Sequence, residues 1–331
     1  MFLHRLGKIK APEFPARLTW LNSNPLTMKR QLGKVVLIDF WTYSCINCIR
    51  TMPHLNRWHK TYAKHGLEIV GVHTPEFEFE KSAENVEQAI KKFKISYPVV
   101  LDPDFKIWNL YANRWWPRKF LIDHKGTIVY DHVGEGGYAQ TEAAIQEALT
   151  AIGMKDKPAI PPDERIGGGI CYTTTQEAYL GFMRGRFGNA EGFVPNEEHA
   201  FTNGDERKEG LVYLNGHFEL GPESIKHTRK LANATEYAAL KYNAFSVNLV
   251  AGSTNGRVAK VEVELDGQPL PEDMAGEDVK IEGGKAILKI NKPQMYRVVD
   301  SDNYHNCTLK LKTSANNLEM FAFTFGSCKG Q

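Results

Sequence analysis

Two cysteines three residues apart, Cys45 and Cys48, are the residues of this sequence best suited to do chemistry. They close the segment Phe40-Trp41-Thr42-Tyr43-Ser44-Cys45-Ile46-Asn47-Cys48, where an apolar strand pattern runs into a turn and the turn opens a helix. Unpaired backbone N–H groups and the helix dipole favour negative charge at a helix's first turn. At that position Cys45 is expected to carry more thiolate at neutral pH than a free cysteine does. Cys48 lies one turn further in and less exposed. Such a pair exchanges with disulfides: Cys45 attacks, and Cys48 resolves the mixed disulfide. A CxxC that follows a strand and opens a helix therefore points to a redox pair. Zinc is the competing use, but zinc usually takes four ligands. The sequence has no second CxxC, and the spacing of His54, His59 and His65 does not converge on Cys45. Two structural core cysteines would need no particular spacing.

Alternating strand and helix signals over residues 35–152 must position this pair. Val35 to Trp41 is a continuous apolar run, as a buried strand requires. A helix is predicted from about Cys45 to Lys64, with Ile49, Met52, Leu55, His59 and Tyr62 on one face. A strand over 67–72 follows, then a helix capped by Ser82 with Val86, Ala89, Ile90 and Phe93 inward. A short strand covers 97–101. Residues 119–123 and 127–132 form a hairpin around Lys125-Gly126, and Thr141 caps a last helix. Pro161-Pro162 and Gly167-Gly168-Gly169 mark a linker. Beyond it come short alternating strands: Val261, Val263 and Leu265 into Asp266-Gly267, then 285–290, 294–299, Leu309 and Leu311, and Phe321, Phe323 and Phe325. These predict an antiparallel sandwich. The expected division is an α/β domain over 1–152, a linker over 153–170 and an all-β domain over 171–331.

The 331 residues are enough for two domains, and 42% hydrophobic residues is an ordinary globular composition. A net charge of +2 argues for neither nucleic acid nor an anionic membrane as partner. No run of 18 apolar residues occurs, so no segment reads as a bilayer span. Residues 1–10 lack an apolar signal region, so as written the chain is expected in the cytoplasm, or in the periplasm or another extracytoplasmic space if it is a piece of a longer exported protein. The five cysteines, at 45, 48, 171, 307 and 328, are too sparse for a disulfide scaffold.

Three segments together carry a specific resemblance: Trp41 to Cys48, Gly71-Val72-His73-Thr74-Pro75-Glu76-Phe77, and Trp116-Pro117 before Phe120-Leu121-Ile122-Asp123. Residues 11–150 resemble the thioredoxin-like, redoxin/TlpA-type family, as seen in the C-terminal part of DipZ-type proteins. The resemblance implies a thioredoxin fold, thiol–disulfide oxidoreductase activity on protein disulfides, and no cofactor. It implies that Asp39 is a buried acid that takes the proton of Cys48. It implies that Glu76 stands near the pair and shares that role, and that Pro117 is a cis-proline facing the pair and holding an extended partner segment. Trp116 and Trp41 are expected to flank the same site and help bind the partner, and Pro53 matches a helix-kinking proline. His73 is a neighbour without an assigned role. Ser44 and Ile46-Asn47 depart from the thioredoxin motif, and no basic residue lies between the cysteines, so a mildly reducing pair is expected. A peroxiredoxin is the alternative enzyme, because Thr42 and Cys45 have its Thr-x-x-Cys spacing, but Ile38 stands where that motif has proline.

Residues 171–331 resemble the carbohydrate-binding-module-like, jelly-roll-like β-sandwich attached to the same module, through Gln176 to Gly181, Leu265-Asp266-Gly267 and Phe323 to Gly326. A glycan is one expected ligand and a docking surface for proteins another, since all six tryptophans lie in the first domain. The expected electron donor is a thioredoxin system, or a CcdA-like membrane reductase outside the cytoplasm. A non-catalytic adaptor with a vestigial CxxC is the non-enzyme alternative. Cys307 and Cys328 flank an expected final hairpin near Asn316-Asn317 and could bridge, which would leave Cys171 as a buried thiol.

Overall fold

A computed structural model describes residues 9–159, 171–202, 207–233 and 235–328. The chain splits into two compact units, residues 1–164 and 165–331. From residue 160 onward, the expected linker lies outside the described residues.

The first unit runs β1 (Trp20–Leu21), β2 (Val35–Trp41), α1 (Ile46–Tyr62), β3 (Leu67–His73), α2 (Ala83–Lys92), β4 (Val99–Leu101), α3 (Lys106–Leu110), β5 (Arg118–Ile122), β6 (Ile128–Val133) and α4 (Tyr138–Thr150). Its sheet has the order β1-β4-β3-β2-β5-β6. β2, β3 and β4 are parallel, and β5 and β6 complete the sheet antiparallel. All seven residues of the central strand β2 are buried, because the sheet is covered on both faces. Val36, Ile38 and Phe40 pack with Ile107 and Trp108 on one face. Val35, Leu37 and Trp41 pack on the other face with Cys48, Met52, Leu55 and Trp58 of α1. Strand parity therefore turns Asp39 toward the face that carries Cys48.

Helix α1 buries Trp58 where the sequence pattern suggests His59, because the buried stripe follows Cys48, Met52, Leu55 and Tyr62. α4 begins three residues before the expected cap: Gly137, with φ 57°, is the N-cap, and the Thr141 hydroxyl donates to the Gly137 carbonyl at 2.9 Å.

The second unit is all-β and antiparallel. Its strands are β7 (Ala178–Tyr179), β8 (Glu198–Phe201), β9 (Val212–Leu220), β10 (Ile225–His227), β11 (Glu236–Ser253), β12 (Ala259–Leu265), β13 (Gln268–Pro269), β14 (Val279–Glu282), β15 (Lys285–Ile290), β16 (Gln294–Thr313) and β17 (Leu318–Gly326). β11 and β16 pair over nearly their whole length, with bulges after Ala244 and Val247. The first part of β11 pairs with β9 and its second part with β17, so the sheet wraps around one core. Phe323 and the alternating Val261 and Val263 lie in that core, as their spacing predicts.

One expectation is corrected here. Cys328 is bonded to Cys171, and Cys307 is a free thiol. Cys307 sits inside β16 opposite Tyr242, whereas the Tyr172 N–H donates to the Ser327 carbonyl and brings the start of the domain alongside its end. Burial, with Asp266 beside it, pushes the Cys307 thiol up to about 11.

Candidate active site

Cys45 is the N-cap of α1, half-exposed, and its Sγ accepts the Cys48 N–H at 3.4 Å. A negative charge on this sulfur is met by the open N–H groups of the first turn. Cys48 has no exposed surface, and both thiols are free. Burial, reinforced by the neighbouring Cys45 and by the charge on Asp39, pushes the Cys48 thiol well above the ordinary range. It needs a base before it can attack.

Asp39 is wholly buried on the same face of the sheet. Burial raises its carboxyl to about 6, against the opposing pull of Lys119. The carboxylate is thus poised to accept a proton near neutral pH. Lys119, which the sequence pattern did not single out, stands opposite Asp39 in the β2–β5 pairing, with Nζ 3.7 Å from Oδ1.

Glu80 braces the turn that carries Cys45. Its buried carboxylate accepts the Ser44 N–H at 3.2 Å and the Ser44 hydroxyl at 2.7 Å on one oxygen, and the N–H groups of Glu76 at 2.6 Å and Phe77 at 3.1 Å on the other. Burial raises this carboxyl while the Ser44 and Thr42 hydrogen bonds oppose the shift. Glu76, the glutamate expected beside the pair, is half-exposed and meets Glu80 through its backbone. His73 is buried with its ring edge-on to Trp41 and stacked on Tyr43, and burial lowers it to about 3. It is a neutral packing element at physiological pH.

The Trp116–Pro117 peptide bond is cis, as expected. The Trp116 indole N–H donates to the Thr74 carbonyl at 3.0 Å, and its ring packs 4.2 Å from that of Trp108. The Pro117 carbonyl accepts the Gly134 N–H at 2.8 Å, whereas the Trp116 backbone N–H and carbonyl make no hydrogen bond among the described residues. Trp115 beside them is 51% exposed. Trp41, expected on the partner-facing side, has no exposed surface, so it supports the site from beneath. Pro53 lies within α1 on its solvent side. Lys119 and Glu80 were missed by sequence reasoning. The one available signal was parity, which gives Lys119 the same facing as the core residue Leu121.

Among the described residues, no group of three or more His, Cys, Asp or Glu side chains could hold a metal ion, and no helix is long and apolar enough to cross a membrane.

Residues 8–131 match the AhpC/TSA family, and residues 175–326 match the family described as thioredoxin-like C-terminal domain. Protein DipZ of Mycobacterium tuberculosis is 32% identical over 324 residues, covering 96% of this chain and 43% of the relative. The chain thus spans less than half the length of that relative. The thiol-disulfide oxidoreductase ResA of Bacillus cereus is 31% identical over 143 residues, covering 43% of this chain and 78% of the relative. A crystal structure of a thiol:disulfide interchange protein from Chlorobium tepidum TLS covers 43% of this chain and 97% of its own, at 24% identity and a TM-score of 0.37. With its CxxC at a helix cap, a buried acid on the strand before it and its likeness to ResA over most of that relative's length, the chain belongs to the thioredoxin-like family that includes the thiol-disulfide oxidoreductase ResA.

Proposed function

We propose that this chain reduces protein disulfides through Cys45 and Cys48. The observation that carries this reading is a half-exposed thiol capping α1 above a buried thiol, with Asp39 on the sheet face beneath. The Cys45 thiolate attacks a partner disulfide, breaks its S–S bond and releases one partner thiolate. Cys48 then gives its proton to Asp39 and attacks Cys45 Sγ. The Cys45–Cys48 disulfide forms and the second partner thiolate leaves, so the partner gains two electrons and the pair loses two. The unpaired Trp116 backbone supports strand-like pairing with an extended partner segment, with Pro117 holding the loop. Glu76, at the rim, is a second candidate for proton exchange with solvent. The test is insulin reduction together with trapping by Cys48→Ser. A wild type that does not reduce insulin, together with a Cys48→Ser variant that accumulates no mixed disulfide through Cys45, overturns the proposal and favours an adaptor with a vestigial CxxC.

The AhpC/TSA match supports one second reading, a thiol peroxidase. Peroxide consumption that survives in Cys48→Ser and is lost in Cys45→Ser would establish it. A mildly reducing pair is our expectation, and a potential near about −120 mV would contradict it.

The Cys171–Cys328 disulfide favours an oxidising, extracytoplasmic compartment over the cytoplasm. A CcdA-like membrane reductase is then the proposed electron donor, in preference to a thioredoxin system. Residues 1–152 and 171–331 are the proposed domains. In the second, a cleft of about 580 Å³ lined by Thr175, Tyr179, Arg184, Arg186 and Glu209 is where a glycan would be sought. The Arg184 guanidinium lies 3.7 Å over the Tyr179 ring.

A further inference from the structure

Trp115 and Trp116, the two residues before Pro117, are held in opposite ways. The Trp115 backbone is occupied: its N–H donates to the Asn113 side-chain carbonyl at 3.3 Å, and its own carbonyl accepts the Asn113 side-chain amide at 3.1 Å. Asn113 is itself buried, and its backbone N–H donates to the Trp108 carbonyl at 2.9 Å. The Trp115 ring, by contrast, is half out in solvent. Trp116 has its indole tied to Thr74 and packed on Trp108, while its backbone groups are open among the described residues. The loop therefore offers the backbone of one residue and the ring of the next.

That ring is also held in place. The Arg118 guanidinium lies 5.5 Å from the Trp115 ring centre and 4.4 Å from that of Phe120, and Asp131 fixes it at 2.8 Å. A cation over an aromatic face attracts it, so Arg118 restrains the indole on one side and leaves the other side open. Val133, paired with Arg118 across β5 and β6, is 44% exposed and adds apolar surface at the same end of the sheet. A ring already restrained loses little freedom when a ligand covers it, so its contact area converts efficiently into affinity.

We propose that Trp115 selects among disulfide partners: its indole covers an apolar or aromatic side chain that flanks the partner cysteine, while the extended partner segment pairs with the open backbone of Trp116. The proposal rests on the disulfide-exchange reading above and names the class of partner segment it takes. Neighbouring side chains of an extended segment point to opposite sides. Side chains directly or diagonally across a strand pair come within reach of an aromatic ring. A ring one residue from the pairing position therefore reads the residues next to the partner cysteine. Asn113 and Arg118 are positioning residues that act through Trp115.

The test uses full-length reduced protein carrying Cys307→Ser and three probes, each a mixed disulfide with thionitrobenzoate. Two are heptapeptides with a central cysteine, flanked on both sides by phenylalanine in one and by serine in the other. The third is the mercaptoethanol adduct, which has no side chains. The Cys45 thiolate attacks the peptide sulfur, the probe's S–S bond breaks, and thionitrobenzoate, the better leaving group, departs as the coloured thiolate. Each rate is divided by that of the same probe with free glutathione. The phenylalanine peptide should react roughly 5- to 10-fold faster than the serine peptide, as one aromatic contact permits. In Trp115→Ala that preference should vanish, in Trp115→Phe most of it should return, and the mercaptoethanol adduct should react equally with all three proteins. No preference in the reference protein, or the same preference in Trp115→Ala, overturns the proposal. If Trp115→Ala does not fold, Trp115→Gln is read in its place by the same criteria. A protein with reduced Cys45 that leaves all three probes intact would instead overturn the exchange reading itself, so the two failures are distinguishable.

Discussion

Asp39→Asn tests the mechanism at its base, because it keeps the shape of the side chain and removes its capacity to take a proton. Burial holds the Asp39 carboxyl at about 6. At pH 7 about nine-tenths of the molecules carry the carboxylate, and at pH 5 about one-tenth do. The Cys48 thiol is held well above its usual range, so almost none of it ionises unaided. Wild-type resolution should therefore rise about tenfold from pH 5 to pH 7 and level off beyond that. In Asp39→Asn only solvent hydroxide remains as base. The rate at pH 7 should fall by roughly 100-fold or more, and its logarithm should climb with pH with no plateau through pH 8. The assay is the second thiolate burst after reaction with a chromophoric aromatic disulfide, in a Cys307→Ser background. The first burst, from Cys45, reports that the variant is folded and competent. An Asp39→Asn profile that levels off near pH 6, at a rate within about threefold of wild type, would refute Asp39 as the base.

The same carboxyl links stability to pH. Its folded-state value is raised from 3.8 to about 6, so the folded protein binds the proton more tightly than the unfolded chain. That stability is complete below about pH 4 and is lost as pH rises through 6. Denaturant melts should show wild type losing up to about 3 kcal/mol relative to Asp39→Asn between pH 4 and pH 7, and a difference independent of pH would contradict the raised value. Glu80→Gln puts an amide NH₂ where the Ser44, Glu76 and Phe77 donors need an acceptor. It should cost about 1–3 kcal/mol and slow Cys45 alkylation, as measured by urea melts and iodoacetamide kinetics. Cys171→Ser opens a loop with a sequence separation of 157, which the chain-entropy relation values at about 5 kcal/mol. Peptide mapping without reductant should recover Cys171 joined to Cys328 and Cys307 alkylated, and a peptide joining Cys307 to Cys328 would show the pairing to be wrong.

Much of the site was legible because its parts adjoin in sequence. One continuous strand–turn–helix fixes the relation of Asp39, Cys45 and Cys48, and the pattern that buries β2 sets the facing of Asp39. Trp116-Pro117 was legible through its motif. Lys119 and Glu80 were not, because each reaches the site through tertiary pairing. Lys119 arrives by antiparallel register with β2, and Glu80 by a loop folded back under Ser44. The Cys171–Cys328 pairing escaped for a related reason. Sequence order makes Cys307 and Cys328 neighbours across a hairpin, but the partner of Cys328 comes from the opposite end of the domain, through the Tyr172–Ser327 backbone contact. The start of α4 shifted because a glycine in the left-handed region can open a helix without a capping side chain.

The same disulfide gives the β domain an unusual mechanical character. Its two cysteines lie close to the first and last described residues of that unit, so tension applied through the flanking chain would run across one covalent bond and bypass the strands between them. A protease nick anywhere from Tyr172 to Ser327 would likewise leave the fragments tethered as one particle. Only a reductant would let the domain be unravelled from its ends, so its resistance to pulling and clipping changes with the redox poise of its surroundings.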